Sequence, residues 1–105
     1  MNTKTVSVEV FWVPAAMGGR KALPSEKRYV SVSRFGEDDE TWKNEAWSIV
    51  LDFEEPPMSY DIPTRGKATF LAEDAPQERL QEGKSFEVYE GSRKVAVVKV
   101  ISVAF

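Results

Sequence analysis

Alternation of apolar and polar residues dominates this chain, and it predicts β-strands. In residues 5–13, one face of an extended segment is apolar and carries Val6, Val8, Val10 and Trp12. A period of two residues with many β-branched side chains is typical of a strand. Patterns of this kind predict six strands, at residues 5–13, 28–35, 46–54, 67–72, 85–90 and 94–103.

The connections between these strands are polar or rich in glycine and proline. Pro14 ends the first strand because proline has no N–H to donate. Gly91 and Ser92 predict a tight hairpin, since glycine accepts a positive φ, and residues 75–82 have room for a single helical turn. Six strands in about 100 residues predict an all-β barrel or sandwich, with the second strand beside the first. Closure into a barrel would leave no strand edge exposed.

The length and the composition exclude many functions. At 105 residues, the chain is expected to form a single domain, residues 1–105. It has no histidine and no cysteine, which removes histidine-based proton transfer, thiolate nucleophiles, disulfides and sulfur-ligated zinc. Carboxylate pairs such as Glu54 with Asp61 remain, but 17 acidic residues produce such pairs by chance. We therefore predict a protein that is not an enzyme and has no cofactor and no metal site.

The net charge of −3 hides an uneven distribution along the chain. Residues 1–35 carry six basic and two acidic side chains, whereas residues 36–62 carry nine acidic side chains and one basic. The basic excess includes four candidate binding residues, Arg20, Lys21, Lys27 and Arg28. These cations can grip phosphate groups or an acidic protein surface, or they can simply keep a loop solvated. A further alternative pairs Arg20 with the acidic residues at 37–40.

The middle of the chain holds a second set of candidates. The four acidic residues at 37–40 repel one another and belong in solvent, and they lack the ligand spacing of a calcium loop. They form either a partner-facing loop or a solubilising one. Trp42 follows within a polar loop, where it either anchors a protein partner or folds back onto the barrel, and Tyr60 lies in an apolar loop that can join it. Trp12 and Trp47 lie on apolar strand faces and are expected in the core.

Short turn motifs follow one another in a recognisable order. Gly-Gly-Arg occurs at residues 18–20 with Pro24 after it, and a Tyr-containing strand follows at residues 29–35. Leu-Gln-Glu-Gly at residues 80–83 precedes Glu-Gly-Ser-Arg at residues 90–93 and a valine-rich final strand. In their order and spacing, over about residues 5–102, these motifs resemble the third, C-terminal domain of elongation factor Tu.

The resemblance implies a six-stranded antiparallel closed barrel without nucleotide chemistry. The family's GTPase site lies in a separate N-terminal domain, and this chain has no G-x-x-x-x-G-K-[ST] motif, so no nucleotide is expected to bind. The family's third domain helps to hold tRNA through an Arg-Glu-Gly-Gly turn. That turn corresponds here to Tyr89, Glu90, Gly91 and Ser92. Tyr89 replaces the arginine and removes a cation from the turn, although Arg93 remains beside it.

These observations predict a non-enzymatic binding module whose first expected partner is a protein. Binding of RNA or tRNA by the basic loop is the alternative, and a further one is a mimic or immunity-type protein that acts on a partner of the elongation factor. No run approaches the roughly 20 apolar residues that span a bilayer, and residues 1–5 lead into the first strand without a signal-peptide core. A cytoplasmic protein without membrane contact is therefore expected.

Overall fold

Six antiparallel strands close into a barrel in the order β1-β4-β3-β2-β5-β6. The computed structural model describes residues 3–36, 38 and 46–103. The strands are β1 (Thr5–Trp12), β2 (Arg28–Arg34), β3 (Trp47–Phe53), β4 (Thr64–Phe70), β5 (Ser85–Glu90) and β6 (Arg93–Val103). The predicted all-β fold and its closure into a six-stranded barrel are therefore confirmed.

Most of the predicted strand boundaries agree with the structure, and β4 is the exception. It begins at Thr64, directly after Pro63, and ends at Phe70 rather than Ala72. The reason is that Thr64 already pairs with β1, opposite Val10. The expected helical turn is the short 3-10 turn Gln77–Arg79. No helix within the described residues has the length and apolarity of a membrane span.

The expectation that the second strand lies beside the first is wrong. β1 pairs with β4 and β6, whereas β2 pairs with β3 and β5. Two strands separate β1 from β2 in either direction around the barrel, so their connection, residues 13–27, must cross one mouth of the barrel. We call this connection the strap. The connection from β4 to β5, residues 71–84, crosses the other mouth in the same way and buries Ala75 and Leu80.

Apolar side chains from all six strands fill the barrel, and both tryptophans expected there contribute. The ring of Trp12 is buried and meets Phe53 edge to face at 5.8 Å, while Trp47 packs against the core from its border. The inward face of β2 is partly polar. Ser33 is buried there, and its hydroxyl donates to the carbonyl of Trp47 at 2.6 Å, which supplies the partner that a buried polar group requires.

Candidate functional site

Three connections meet at one end of the barrel, which we call the loop end. They are the strap, the β3–β4 loop (residues 54–63) and the β5–β6 turn (residues 91–92). The antiparallel order brings them together, because β1, β3 and β5 end at this mouth and the other three strands begin there. Nine candidate binding residues lie on these connections or within two residues of them: Arg20, Lys21, Lys27, Arg28, Tyr60, Tyr89, Glu90, Gly91 and Arg93.

The Gly-Gly pair of the strap has a structural role. Gly18 adopts φ +93° after the 3-10 turn Ala15–Met17, a conformation that favours glycine. Gly19 packs directly on the backbone, and a Cβ atom there would lie 1.7 Å from the carbonyl oxygen of Val13. The two glycines therefore set the path of the strap just before Arg20, whose side chain reaches Glu90 at the end of β5.

Arg20, Tyr29 and Glu90 form one polar cluster at this point. The guanidinium of Arg20 and the hydroxyl of Tyr29 both donate to the same carboxylate oxygen of Glu90. Arg20 Nε also donates to the carbonyl of Ala22 at 2.9 Å, and its guanidinium lies 5.7 Å from the centre of the Tyr29 ring. The cluster therefore fastens the strap to both β2 and the end of β5.

Two aromatic residues hold this cluster in place. Tyr60, in the β3–β4 loop, donates its hydroxyl to the carbonyl of Arg20 at 3.0 Å and so joins the two long connections. Beneath them, the Trp12 ring meets Tyr29 edge to face at 5.5 Å. Trp12 is itself held by a 3.0 Å hydrogen bond from its indole nitrogen to Thr64. The loop end is thus a packed cap whose polar groups are tied to the core.

The cluster shifts the ionisation of its members in opposite directions. Burial raises the pKa of Tyr29 to about 12, and the bond to Glu90 adds to this effect. Burial also tends to raise the pKa of Glu90, but the bonds from Tyr29 and Arg20, with the charges of Arg20 and Arg93, outweigh it and lower that pKa. At neutral pH, Tyr29 is therefore a protonated donor and Glu90 an ionised acceptor.

A pH-dependent contribution of Glu90 to stability follows from its lowered pKa. The ionised carboxylate stabilises the fold above the unfolded-state pKa of about 4.3, and this stabilisation is lost as the pH falls through the lower folded-state value. We expect Glu90→Gln to lose about 1 kcal/mol at pH 7, since solvent weakens a partly exposed pair. The gap between the two proteins should close in urea titrations carried out below about pH 4.

The matched control for this experiment is Glu87→Gln. It removes a partly exposed carboxylate that pairs with Lys94 at 3.4 Å, and we expect it to cost less than about 0.5 kcal/mol. Equal stabilities of the wild type and Glu90→Gln at pH 7, or a stability gap that does not narrow as the pH falls below about 4, would contradict the assigned role of Glu90.

The structure brings together only some of the predicted site residues. Arg20 pairs with Glu90, and Asp38, the one described residue of the acidic run at 37–40, pairs with Arg79 at 3.1 Å rather than with Arg20. The reason is topological, because Asp38 follows the end of β2 at the opposite mouth. Glu37, Asp39 and Glu40 lie outside the described residues. Trp42 lies outside the described residues.

The remaining candidates are spread over the loop end. Exposed cations are contributed by Lys21, Lys27, Arg28 and Arg93. Gly91 adopts φ +62° in the predicted hairpin turn. Tyr89 points outward, and its hydroxyl donates to Glu87 at 3.1 Å. No group of three or more acidic side chains within the described residues is placed to hold a metal ion.

The sequence did not single out three residues that the structure places at the loop end. The sequence pattern identifies Tyr29 only as a strand residue, because its bond to Glu90 joins positions 61 residues apart. Met17 and Ile62 are exposed apolar side chains of the strap and the β3–β4 loop. An apolar residue within a proline- or glycine-rich loop could have been noted as a candidate contact for a partner. Whether its side chain is exposed, however, depends on how the loop folds back onto the barrel.

Comparison of the chain with models of known protein families and with curated proteins gave no match.

Proposed function

We propose that this chain is a non-enzymatic binding module that holds another protein at the loop end of its barrel. The observation that carries the proposal is the exposure of three large apolar side chains there: Met58 (87%), Met17 (77%) and Ile62 (66%). Exposed apolar side chains that lie together mark interaction surfaces, and Met58 and Ile62 border the same groove. Because Tyr60 ties the two connections that carry them, these side chains stand on a preorganised surface, which lowers the entropic cost of binding.

The polar groups of the loop end support binding rather than catalysis. Arg20, Tyr29 and Glu90 satisfy one another, so their charges are committed to holding the cap together. The chain has neither histidine nor cysteine to act as a base or nucleophile near neutral pH. The absence of cysteine also fits a reducing compartment, and we propose a cytoplasmic location.

We also propose kinship with the third domain of elongation factor Tu. The barrel has the strand number that the resemblance implies. Two of the motifs that carry the resemblance touch each other, since Arg20 of Gly-Gly-Arg binds Glu90 of Glu-Gly-Ser-Arg. That contact gives a physical reason for the two motifs to occur together. A protein that mimics this domain and acts on a partner of the elongation factor would use the same surface, and this remains a prediction.

Binding of RNA is the second candidate, supported by exposed Lys21, Lys27, Arg28 and Arg93 at the same end. Such cations neutralise phosphates and release counterions. Two observations favour protein over RNA. The charge of Arg20 is already met by Glu90, and the neighbouring β3–β4 loop is acidic, which would repel a phosphate backbone.

Affinity capture from a lysate of the source cells tests this proposal. We expect immobilised wild type to retain a protein after ribonuclease treatment, and Met58→Ser/Ile62→Ser to retain at least about tenfold less, a loss of about 1.4 kcal/mol. The control is Leu71→Ser, which changes an exposed apolar residue at the opposite end and should retain as much as wild type. Recovery of RNA alone, or of a protein that the double variant holds equally well, would refute protein binding at the loop end.

A further inference from the structure

Charge is segregated between the two long connections at the loop end. The strap and the start of β2 form its basic side, whose exposed cations are Lys21, Lys27 and Arg28. The β3–β4 loop forms its acidic side, whose exposed carboxylates are Glu54, Glu55 and Asp61. Glu26 is the one acid among residues 20–28, and residues 54–63 contain no basic residue. The two sides therefore carry opposite charge.

The two sides do not neutralise each other within one chain. Among the described residues, no ion pair joins the basic side to the acidic side; the guanidinium of Arg28 lies 4.0 Å from a carboxylate oxygen of Asp52, which belongs to β3 rather than to the acidic side. The strap instead meets the β3–β4 loop through the uncharged bond from Tyr60. Both sides consequently present their charges to a molecule outside this chain.

Each side also carries an apolar group. Met17 stands on the strap, and Met58 and Ile62 stand on the acidic side. The two apolar residues of the acidic side border a shallow groove of about 350 Å³ whose walls include Pro56 and Arg65. The basic side thus offers an apolar side chain among cations, and the acidic side offers an apolar groove among carboxylates.

We propose that the occupant of this surface is a second copy of the same chain, related by a two-fold axis through the loop end. The basic side of each copy then faces the acidic side of the other, and Met17 of one copy meets the groove beside Met58 and Ile62 of the other. A two-fold interface requires a patch that is complementary to itself. Here the two complementary halves lie side by side at one barrel end, so both contacts form in the same encounter.

This inference rests on the proposed function, because it assigns a partner to the same apolar side chains. The contacts are exposed loop charges and three apolar side chains, so the dimer is weak and sensitive to salt. The apolar contact resists salt, whereas the ion pairs across the axis are screened. We therefore expect the dissociation constant to rise at least about tenfold between about 50 mM and 500 mM sodium chloride.

Sedimentation equilibrium with charge-reversed variants tests the proposal. Lys21→Glu/Lys27→Glu makes both sides acidic, and Glu54→Lys/Glu55→Lys makes both sides basic. All four positions are exposed, so circular dichroism should show that both variants fold. Each variant alone is expected to be monomeric at concentrations where the wild type is dimeric, because like charges then face each other in both contacts.

Mixing the two variants gives the sharpest result. In the mixed pair, the reversed strap faces the reversed loop, and the two unchanged sides face each other, so both contacts become attractive again. An equimolar mixture should therefore form heterodimers with an affinity within about tenfold of the wild type. The control is Glu73→Lys/Asp74→Lys, which reverses exposed charges at the opposite mouth and should dimerise as the wild type does.

A wild type that stays monomeric at low salt, a dimer that survives either charge reversal, or a mixture that forms no heterodimer would each overturn the proposal. Loss of the dimer would leave the proposed function standing if wild type still captured a different protein that Met58→Ser/Ile62→Ser did not. Loss of that capture with an intact dimer would instead confine binding at the loop end to self-association.

Discussion

Replacing Trp12 by alanine should lower the free energy of unfolding by about 4 kcal/mol, the largest loss we expect from a single substitution in this protein. The indole is buried at the junction between the core and the loop end, where it packs edge to face on both Tyr29 and Phe53. Its removal leaves a cavity under the strap. It also leaves the buried hydroxyl of Thr64 without the hydrogen bond that the indole N–H donates to it. Packing and hydrogen bonding are therefore lost together.

Urea unfolding followed by far-UV circular dichroism measures this loss without relying on tryptophan fluorescence. The matched control is Phe11→Ala, one residue earlier on β1 but on its outer face and 43% exposed, for which we expect about 1 kcal/mol. Trp12→Phe keeps an aromatic ring beside Tyr29 but loses the hydrogen bond to Thr64. Its loss in free energy of unfolding should therefore lie between those of Trp12→Ala and Phe11→Ala. A Trp12→Ala variant no less stable than Phe11→Ala would show that the loop end does not depend on the indole.

Replacing Gly66 by alanine should lower the free energy of unfolding by about 2 kcal/mol, although it adds a single methyl group. A Cβ atom at this inward position of β4 would lie 2.3 Å from the carbonyl oxygen of Asp52 and 2.9 Å from the Cα atom of Phe53. β4 cannot move away easily, since Gly66 is also paired with Val8 of β1 on its other side. Alanine restricts the unfolded chain, a gain of about 0.4–1 kcal/mol, but overpacking of a core costs about 1–3 kcal/mol and sometimes more.

Gly36→Ala is the control for this substitution. A Cβ atom at Gly36 would meet no atom within 4 Å, so we expect a change within about 0.5 kcal/mol of zero. Thermal unfolding of both variants beside wild type gives the comparison. If Gly66→Ala melts at the wild-type temperature, then β3 and β4 lie further apart than the structure places them.

The strands were predictable because each residue pattern is local. Residues 85–90 were predicted as a strand with the bounds that the structure gives β5. In β3 the alternation that predicted the strand corresponds to buried Ile49, Leu51 and Phe53. For β2, the pattern separated two faces but could not say which one points inward. Ser31 and Ser33 point inward, where their hydroxyls find carbonyl acceptors, while Val30 points outward and is 45% exposed.

The candidate site was predictable in its residues but not in its arrangement. Arg20 was predicted to contact a partner because of its charge, and Glu90 because it precedes a glycine turn. The structure makes them partners of each other across 70 residues of sequence. Tyr29 could not be recognised as their third member, because nothing local to a strand tyrosine indicates which carboxylate will stand beside it.

By itself, the sequence determined the strands, the turns and the lack of histidine and cysteine chemistry, because these depend on residue type and on neighbours a few positions away. The tertiary structure alone decided which strands pair, and hence that the strap crosses the barrel mouth to bring Arg20 onto Glu90. It also decided that Met17, Met58 and Ile62 stand exposed at the same end. Barrel closure joins residues far apart in the chain, and the free energy of such contacts depends on the packing of the whole molecule rather than on any one segment.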